Sequence, residues 1–125
     1  MNLYPCPCCG YLVHNFPPGS HCICPICDWE DDLVQLRWPD ISGANQVPLT
    51  ESQLIYKDIG IADSNSTSKI RPLADFWSID FGFRTIDEKI HNFEPNGAIE
   101  ANWPEDRTRL YWWRPNFWRR LHKSP

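Results

Sequence analysis

The chain has 125 residues, 12 basic and 16 acidic, for a formal charge of -4. That is one domain, or a small module with an extension, and its acidity argues against wholesale electrostatic capture of nucleic acid or anionic lipid. Its mean hydropathy is -0.50, and the apolar run Leu110-Tyr111-Trp112-Trp113 is far shorter than the ~20 residues a membrane helix needs. No Lys or Arg precedes an apolar stretch at the N-terminus, so no signal peptide is expected, and the predicted location is the cytoplasm.

All six cysteines lie between Cys6 and Cys27. Cys6-Pro7-Cys8-Cys9-Gly10 and Cys24-Pro25-Ile26-Cys27-Asp28 repeat one pattern, C-P-x-C. Two cysteines separated by two residues wrap an ion in a tight turn whose backbone N–H groups point at the thiolates. Pro sets φ early in that turn, and Gly after the second cysteine accepts positive φ. Two such knuckles, with 14 residues between Cys9 and Cys24, supply four tetrahedral sulfurs, as in zinc-ribbon and rubredoxin-like folds. Cys6, Cys9, Cys24 and Cys27 are therefore the predicted ligands. A structural Zn2+ is preferred to iron, because nothing else suggests electron transfer. The alternative is a disulfide framework, which a reducing cytosol disfavours. Cys8 and Cys22 remain: small packing residues, or extra thiols that act in redox chemistry or in a different ligand set with His14 or His21.

The segment from Met1 to Cys27 holds no charged side chain, five Pro and two Gly. A stretch like this buries little apolar area and needs a metal to fold. Residues 4–38 read as two short metal-pinned hairpins, with a strand over Tyr11–His14 and a turn at Pro17-Pro18-Gly19-Ser20. The acids of Trp29-Glu30-Asp31-Asp32 read as a solvated face. The other reading is a docking surface, or carboxylates that orient a neighbouring loop by accepting its N–H groups.

The Tyr4–Tyr11 segment, Y-P-C-P-C-C-G-Y, resembles the opening of the bacterial cysteine-rich CPCC family. The resemblance continues through Gly19-Ser20, Ile23–Cys27, Trp29-Glu30-Asp31-Asp32 and Gln35, then Gly43-Ala44-Asn45, Leu49 and Glu51. It covers residues 4–60, and Cys22 departs from the pattern. It implies a small metal-binding domain and an association with bacterial toxin systems. It supplies no mechanism.

Pro39 to Pro48 reads as a loop. A helix is predicted over 51–58, with Thr50 as N-cap, Gln53 completing a capping box, and a staple between Leu49 and Leu54. Gly60 is its expected left-handed stop, and Leu54, Ile55 and Ile59 its packing face. Residues 61–69 read as a polar linker or loop.

Charge changes across this point. Residues 1–66 hold 2 basic and 8 acidic residues, net -6, and residues 67–125 hold 10 basic and 8 acidic, net +2. The C-terminal part, 70–125, is expected to be an aromatic α+β half packed with the 1–60 module as one domain. Phe76–Phe83 reads as a strand, Thr85–Glu88 as a capping box opening a helix to Phe93, and Glu94–Gly97 as a turn. Ala98–Trp103 and Arg107–Arg114 read as a hairpin, with a last helical turn over Phe117–Leu121. The predicted class is thus a small α+β protein.

No P-loop, G-x-S-x-G, G-x-G-x-x-G or H-E-x-x-H is present, and four cysteines close the coordination sphere, so catalysis is not expected. The expected role is binding a protein partner, of the immunity or antitoxin type that blocks a bacterial toxin. The candidate contact residues are Glu30, Asp31, Asp32, Trp112, Trp113, Arg114, Trp118, Arg119 and Arg120, since Trp and Arg dominate binding hot spots. The competing use of the tail is nucleic-acid binding, by stacking and phosphate contact. A third use of these tryptophans is plain core.

Overall fold

The computed structural model describes residues 3–66 and 73–119. Strand β1 (Tyr4–Pro5) pairs antiparallel with β2 (Leu12–His14), with an irregularity between Tyr4 and Pro5. The first knuckle is the loop that joins them. The second sits inside a single antiparallel bridge between Ile23 and Glu30. The two hairpins expected over 4–38 are therefore present in minimal form.

A helix follows within the region expected to be hairpins. α1 (Leu33–Arg37) is one turn long. Asp32 caps it, with Oδ1 accepting from Val34 N at 2.9 Å. So short a helix shows no apolar period, and the capping aspartate is hidden in a run of acids.

α2 spans Leu49–Ile59 and stops at Gly60, at φ 79°, whose N–H donates to Tyr56 O. Its start differs from expectation. The N-cap is Pro48, without a side-chain cap, and Thr50 lies inside the first turn, where its Oγ1 donates to Asp40 Oδ1 at 2.9 Å. Gln53 is no capping-box partner. It is buried, its Nε2 donates to Pro7 O and its Oε1 accepts from Ile86 N, both at 2.9 Å. The buried face is Leu49, Ser52 and Gln53, with Tyr56 against the core, at the i, i+3, i+4, i+7 positions of one helical stripe. Leu54 and Ile59 are exposed, Leu54 at 69%, which corrects the packing face assigned to them.

The rest of the described chain is largely irregular. Ile79 makes one bridge with Tyr11, flanked by Leu12 N to Ser78 O and Asp80 N to Gly10 O, both 2.8 Å. This is all that forms of the expected strand over 76–83. Thr85–Glu88 opens a single turn closed by His91 N to Asp87 O, and no helix. The turn near Pro95 is one residue later than expected, closed by Ala98 N to Pro95 O. In place of the second strand of a hairpin, Arg107–Leu110 is a 3₁₀ turn capped by Asp106. Residues 67–69 of the linker and the end of the expected terminal turn, including Leu121, lie outside the described residues.

One hydrophobic cluster runs from the cysteines through Trp29, Leu36 and Leu49 to Leu110, Tyr111, Trp112, Trp113 and Phe117. Ala62 is buried, and its N–H donates to Cys27 O at 2.8 Å. Trp112 and Trp113 stack edge-on at 4.7 Å, and Phe83 meets Trp113 at 4.8 Å. Rings supply much of this core, and aromatic pairs bury a large area each.

The loop 41–47 is held by polar side chains. Asn45 brackets Glu30, its Oδ1 accepting from Glu30 N and its Nδ2 donating to Glu30 O, both 2.9 Å. Gln35 Oε1 accepts from Asn45 N and Nδ2, and its Nε2 donates to Ile41 O and Val47 O. Asp32 Oδ2 accepts from Ala44 N at 2.7 Å. The chain must pass close to these groups at Gly43. A Cβ there would collide with Asp32 Oδ2 and lie 2.8 Å from Gln35 Cγ. Gly43→Ala is expected to cost about 1–3 kcal/mol, as overpacking does. Thermal unfolding of the metal-loaded protein, read against the wild type, measures it.

Candidate metal centre

The two knuckles share one backbone design. Cys6 N donates to Tyr11 O and Cys24 N to Trp29 O, both at 2.9 Å. Gly10 N donates back to Cys6 O at 2.7 Å, and Asp28 N to Cys24 O at 3.0 Å. Each turn ends in the left-handed region, at Gly10 (φ 83°) and Asp28 (φ 74°). Asp28 thus fills the slot that glycine fills in the first knuckle. Asp is among the residues that tolerate this conformation.

These turns bring Cys6, Cys9, Cys24 and Cys27 together, with all four Sγ atoms within 4.8 Å of one another. Cys6 and Cys27 are 3.6 Å apart, and Cys9 and Cys24 3.7 Å. Four sulfurs at ~2.3 Å from a central ion would be separated by about 3.8 Å in a regular tetrahedron. The cage therefore has the size of a metal thiolate site, and its S–S separations are far beyond a disulfide bond of about 2.05 Å. All six cysteines are free. The four ligand side chains are buried, none more than 3% exposed. Ile26 N points at Cys24 Sγ at 3.4 Å.

Without an ion these thiols share charge unevenly. Burial pushes Cys6 and Cys27 well up, and hydrogen bonding to Cys24 raises Cys9. Cys24 is held low because Cys27, Cys6 and Cys9 all hydrogen-bond to its sulfur. A divalent ion that binds such a cluster displaces the thiol protons.

The signature residues around this cage match a known family. A model of the cysteine-rich CPCC family covers residues 4–75, more than half of the chain. The protein belongs to the cysteine-rich CPCC family. The match extends past the motifs visible by eye, which end near residue 60. A comparison with curated proteins gives no match.

The CPCC motif itself gains a physical meaning from the symmetry of the knuckles. Its middle cysteine, Cys8, occupies the position of Ile26 in the second knuckle. Cys8 is 1% exposed and packs in the core, as Ile26 packs against it. Cys22 is half-buried and His21 is exposed beside Glu30, at 3.2 Å. Among the described residues no metal-binding group includes Cys8, Cys22, His14 or His21.

Several candidate partner contacts are used internally. Asp31 is 2% exposed, and its Oδ2 accepts from Ser20 N and Oγ at 3.2 and 2.7 Å. Asp32 is 6% exposed, spent on α1 and Ala44. The acidic run is therefore not a solvated face. Its aspartates orient neighbouring loops, and only Glu30 keeps its carboxylate toward solvent, beside His21. Trp112 and Trp113 are core, with Nε1 donating to Arg84 O and Asp80 Oδ2. Both indoles are almost wholly buried. Arg114 pairs with Asp80 at 3.0 Å, Trp118 lies over Arg37, and Arg119 pairs with Glu100 at 2.9 Å. Arg120 lies outside the described residues.

Sequence patterning misses a second organising centre. Arg37, at the end of α1, makes a fork with Glu94, Nε to Oε1 at 2.5 Å and Nη2 to Oε2 at 3.0 Å, both side chains fully buried. Its guanidinium lies 4.7, 4.4 and 4.8 Å from the rings of Trp38, Trp103 and Trp118. Glu94, Trp103 and Trp118 come from the other half of the chain, so no local pattern announces them.

Proposed function

We propose that this protein is a non-catalytic binding module, stabilised by one structural Zn2+, that binds and inhibits a bacterial toxin in the manner of a cytoplasmic immunity or antitoxin protein. The observation that carries the non-catalytic part is the closure of the cage. Four buried sulfurs within 4.8 Å of one another are enough ligands to fill a tetrahedral sphere, whereas a catalytic zinc keeps three protein ligands and a position for water. Four thiolates in tetrahedral array select Zn2+ or iron, and zinc is the usual structural ion.

The charge of the chain supports the choice of partner. An acidic protein, net -4, can cover a basic active site such as that of a nuclease, and its field speeds the encounter. Nucleic-acid binding by the aromatic tail has less support, because Trp112 and Trp113 lack free faces on which a base could stack.

The test is native mass spectrometry of the protein purified from its own host with its neighbouring gene intact. One bound zinc and one stoichiometric protein partner is the expected result. One zinc and no partner would leave the metal site standing and remove the binding role.

A further inference from the structure

The strongest unassigned feature is a cleft beside the second knuckle. It is lined by the knuckle residues Asp28 and Trp29, by loop residues 44–47, by Ser52 of α2, and by Ala62 and Asp63. Its volume is about 240 Å³. A water-sized group takes up about 30 Å³, so the cleft has room for a ligand of a few non-hydrogen atoms.

Two of its lining side chains are buried without partners. Trp29 is 0% exposed and Ser52 1%. Trp29 Nε1 and Ser52 Oγ make no hydrogen bond among the described residues, and neither side chain has another polar atom. Burial of such groups costs free energy unless something pairs with them. Because both residues line the same cleft, one ligand can reach both.

The lining also sets the chemistry of that ligand. An indole N–H only donates and offers no lone pair to a metal ion, so the ligand must accept. Asp28 and Asp63 line the cleft with no Lys, Arg or His among the described lining residues. A carboxylate or phosphate would therefore meet uncompensated like charge. The acceptor must be neutral, and the rest of the ligand must donate. The chain holds both aspartates in place: Asp28 Oδ2 accepts from Ser66 Oγ at 3.1 Å, and Asp63 Oδ1 from Asn65 N at 2.9 Å. A carboxylate has about four lone-pair sites, so that bond does not saturate Asp63. A primary carboxamide meets every demand in one planar group, with a carbonyl that accepts and an NH2 that donates.

We propose that this cleft binds a carboxamide group, its carbonyl oxygen accepting from Trp29 Nε1 and Ser52 Oγ and its NH2 donating to Asp63 beside Asp28. The site is separate from the closed cysteine cage and does not rest on the protein-binding reading above. The same group is carried by a free small amide or by an asparagine or glutamine side chain of a partner.

The test is titration of the zinc-loaded full chain with propionamide, read at the indole N–H signal of Trp29 by nitrogen–proton correlation NMR. A saturable downfield shift is expected, in the millimolar range that so small a ligand allows. Propionate has the same shape with a charge in place of the NH2, and should bind about tenfold or more weakly, as loss of a charge-assisted bond predicts. Glycerol, which offers only hydroxyls, should give no saturable shift. Ser52→Ala should weaken propionamide about threefold to tenfold, the loss of one hydrogen bond. It should not lower the unfolding temperature of the free protein, because the deleted hydroxyl has no partner there. Asp63→Asn keeps an acceptor for Asn65 N–H and should erase most of the preference over propionate. N-acetylglutamine methylamide separates the two sources: binding tighter than propionamide assigns the group to a partner's side chain, and weaker binding to a free amide. No saturable shift at Trp29, equal shifts from propionate or glycerol, or unchanged affinity in both variants would overturn the assignment and leave water to satisfy Trp29 and Ser52. A lowered unfolding temperature in Ser52→Ala would overturn it too, by showing the hydroxyl to be paired within the protein. None of these outcomes bears on the partner test above.

Discussion

Cys27→Ser is expected to release the metal and unfold the protein, and Cys6→Ser to do the same. Binding of a structural zinc ion contributes roughly 10–16 kcal/mol in small metal-dependent folds, while the whole stability of a domain is about 5–15 kcal/mol. Loss of one thiolate from a closed four-sulfur cage therefore removes a term as large as the total. The structure shows why little else would hold. The segment from Met1 to Cys27 carries no charged side chain, and its strands, β1 and β2, are two and three residues long. The cysteines also belong to the same cluster as Trp29, Trp112 and Trp113, so collapse should spread to the aromatic half. Metal content by elemental analysis and near-ultraviolet dichroism of the tryptophans read both effects, and a strong chelator should reproduce them in the wild type. Cys22→Ser is the control. That side chain is half-buried and outside the cage, and a substitution at such a site costs less than about 1 kcal/mol. Equal metal loss in all three variants would mean that the ligand set is misassigned.

The legible parts of this protein are those whose physics is local. A C-P-x-C turn closes on itself, so the two knuckles and the cage they build can be read from spacing. The stop of α2 at Gly60 is local too, because only the backbone conformation at one residue decides it. The start of α2 departs from its local signal for an instructive reason. Thr50 and Gln53 have the spacing of a capping box, yet Gln53 instead bridges two backbone groups, Pro7 O and Ile86 N, in the interior. The run Glu30-Asp31-Asp32 looks solvated because acids usually are. Here Asp31 and Asp32 replace regular structure, fixing loops that have no sheet to join. The second half is least legible. Its expected strands and helix rest on alternation and capping signals. Instead, tertiary contacts of aromatic rings override those propensities, and the backbone follows the rings. Gly43 and Asn45 are visible as signature residues, but their reason, close passage beside Asp32 and Gln35, exists only in three dimensions.

Arg37→Ala is the second change with a large expected effect, in a region remote from most of the metal ligands in sequence. It leaves Glu94 buried and unpaired, and breaking a buried ion pair in this way costs about 3–5 kcal/mol. It also removes the cation between three indole rings and the donor to Ala101 O at 2.6 Å. Arg37→Lys should recover little, since an ammonium cannot make the fork to both oxygens of Glu94 or stack flat on the rings. Arg37→Met/Glu94→Leu should recover most of the loss, because replacing both charges by apolar groups removes the unpaired carboxylate. The pair has a pH signature. Burial alone would raise Glu94, but the fork from Arg37 and the N–H of Glu100 outweigh it and hold the carboxyl below its usual value. A depressed carboxylate contributes its full stability at neutral pH, and loses it as pH falls below the ordinary value of about 4.3 and through the depressed one. Acid also strips metal from thiolates, so the wild type and the Arg37→Met/Glu94→Leu variant should both weaken in acid. Their difference isolates the pair. Denaturant unfolding across this range should show the wild type losing more stability than the double variant. Parallel curves would mean that Glu94 is not a charged partner of Arg37 in solution, and that the three tryptophans hold the arginine by stacking alone.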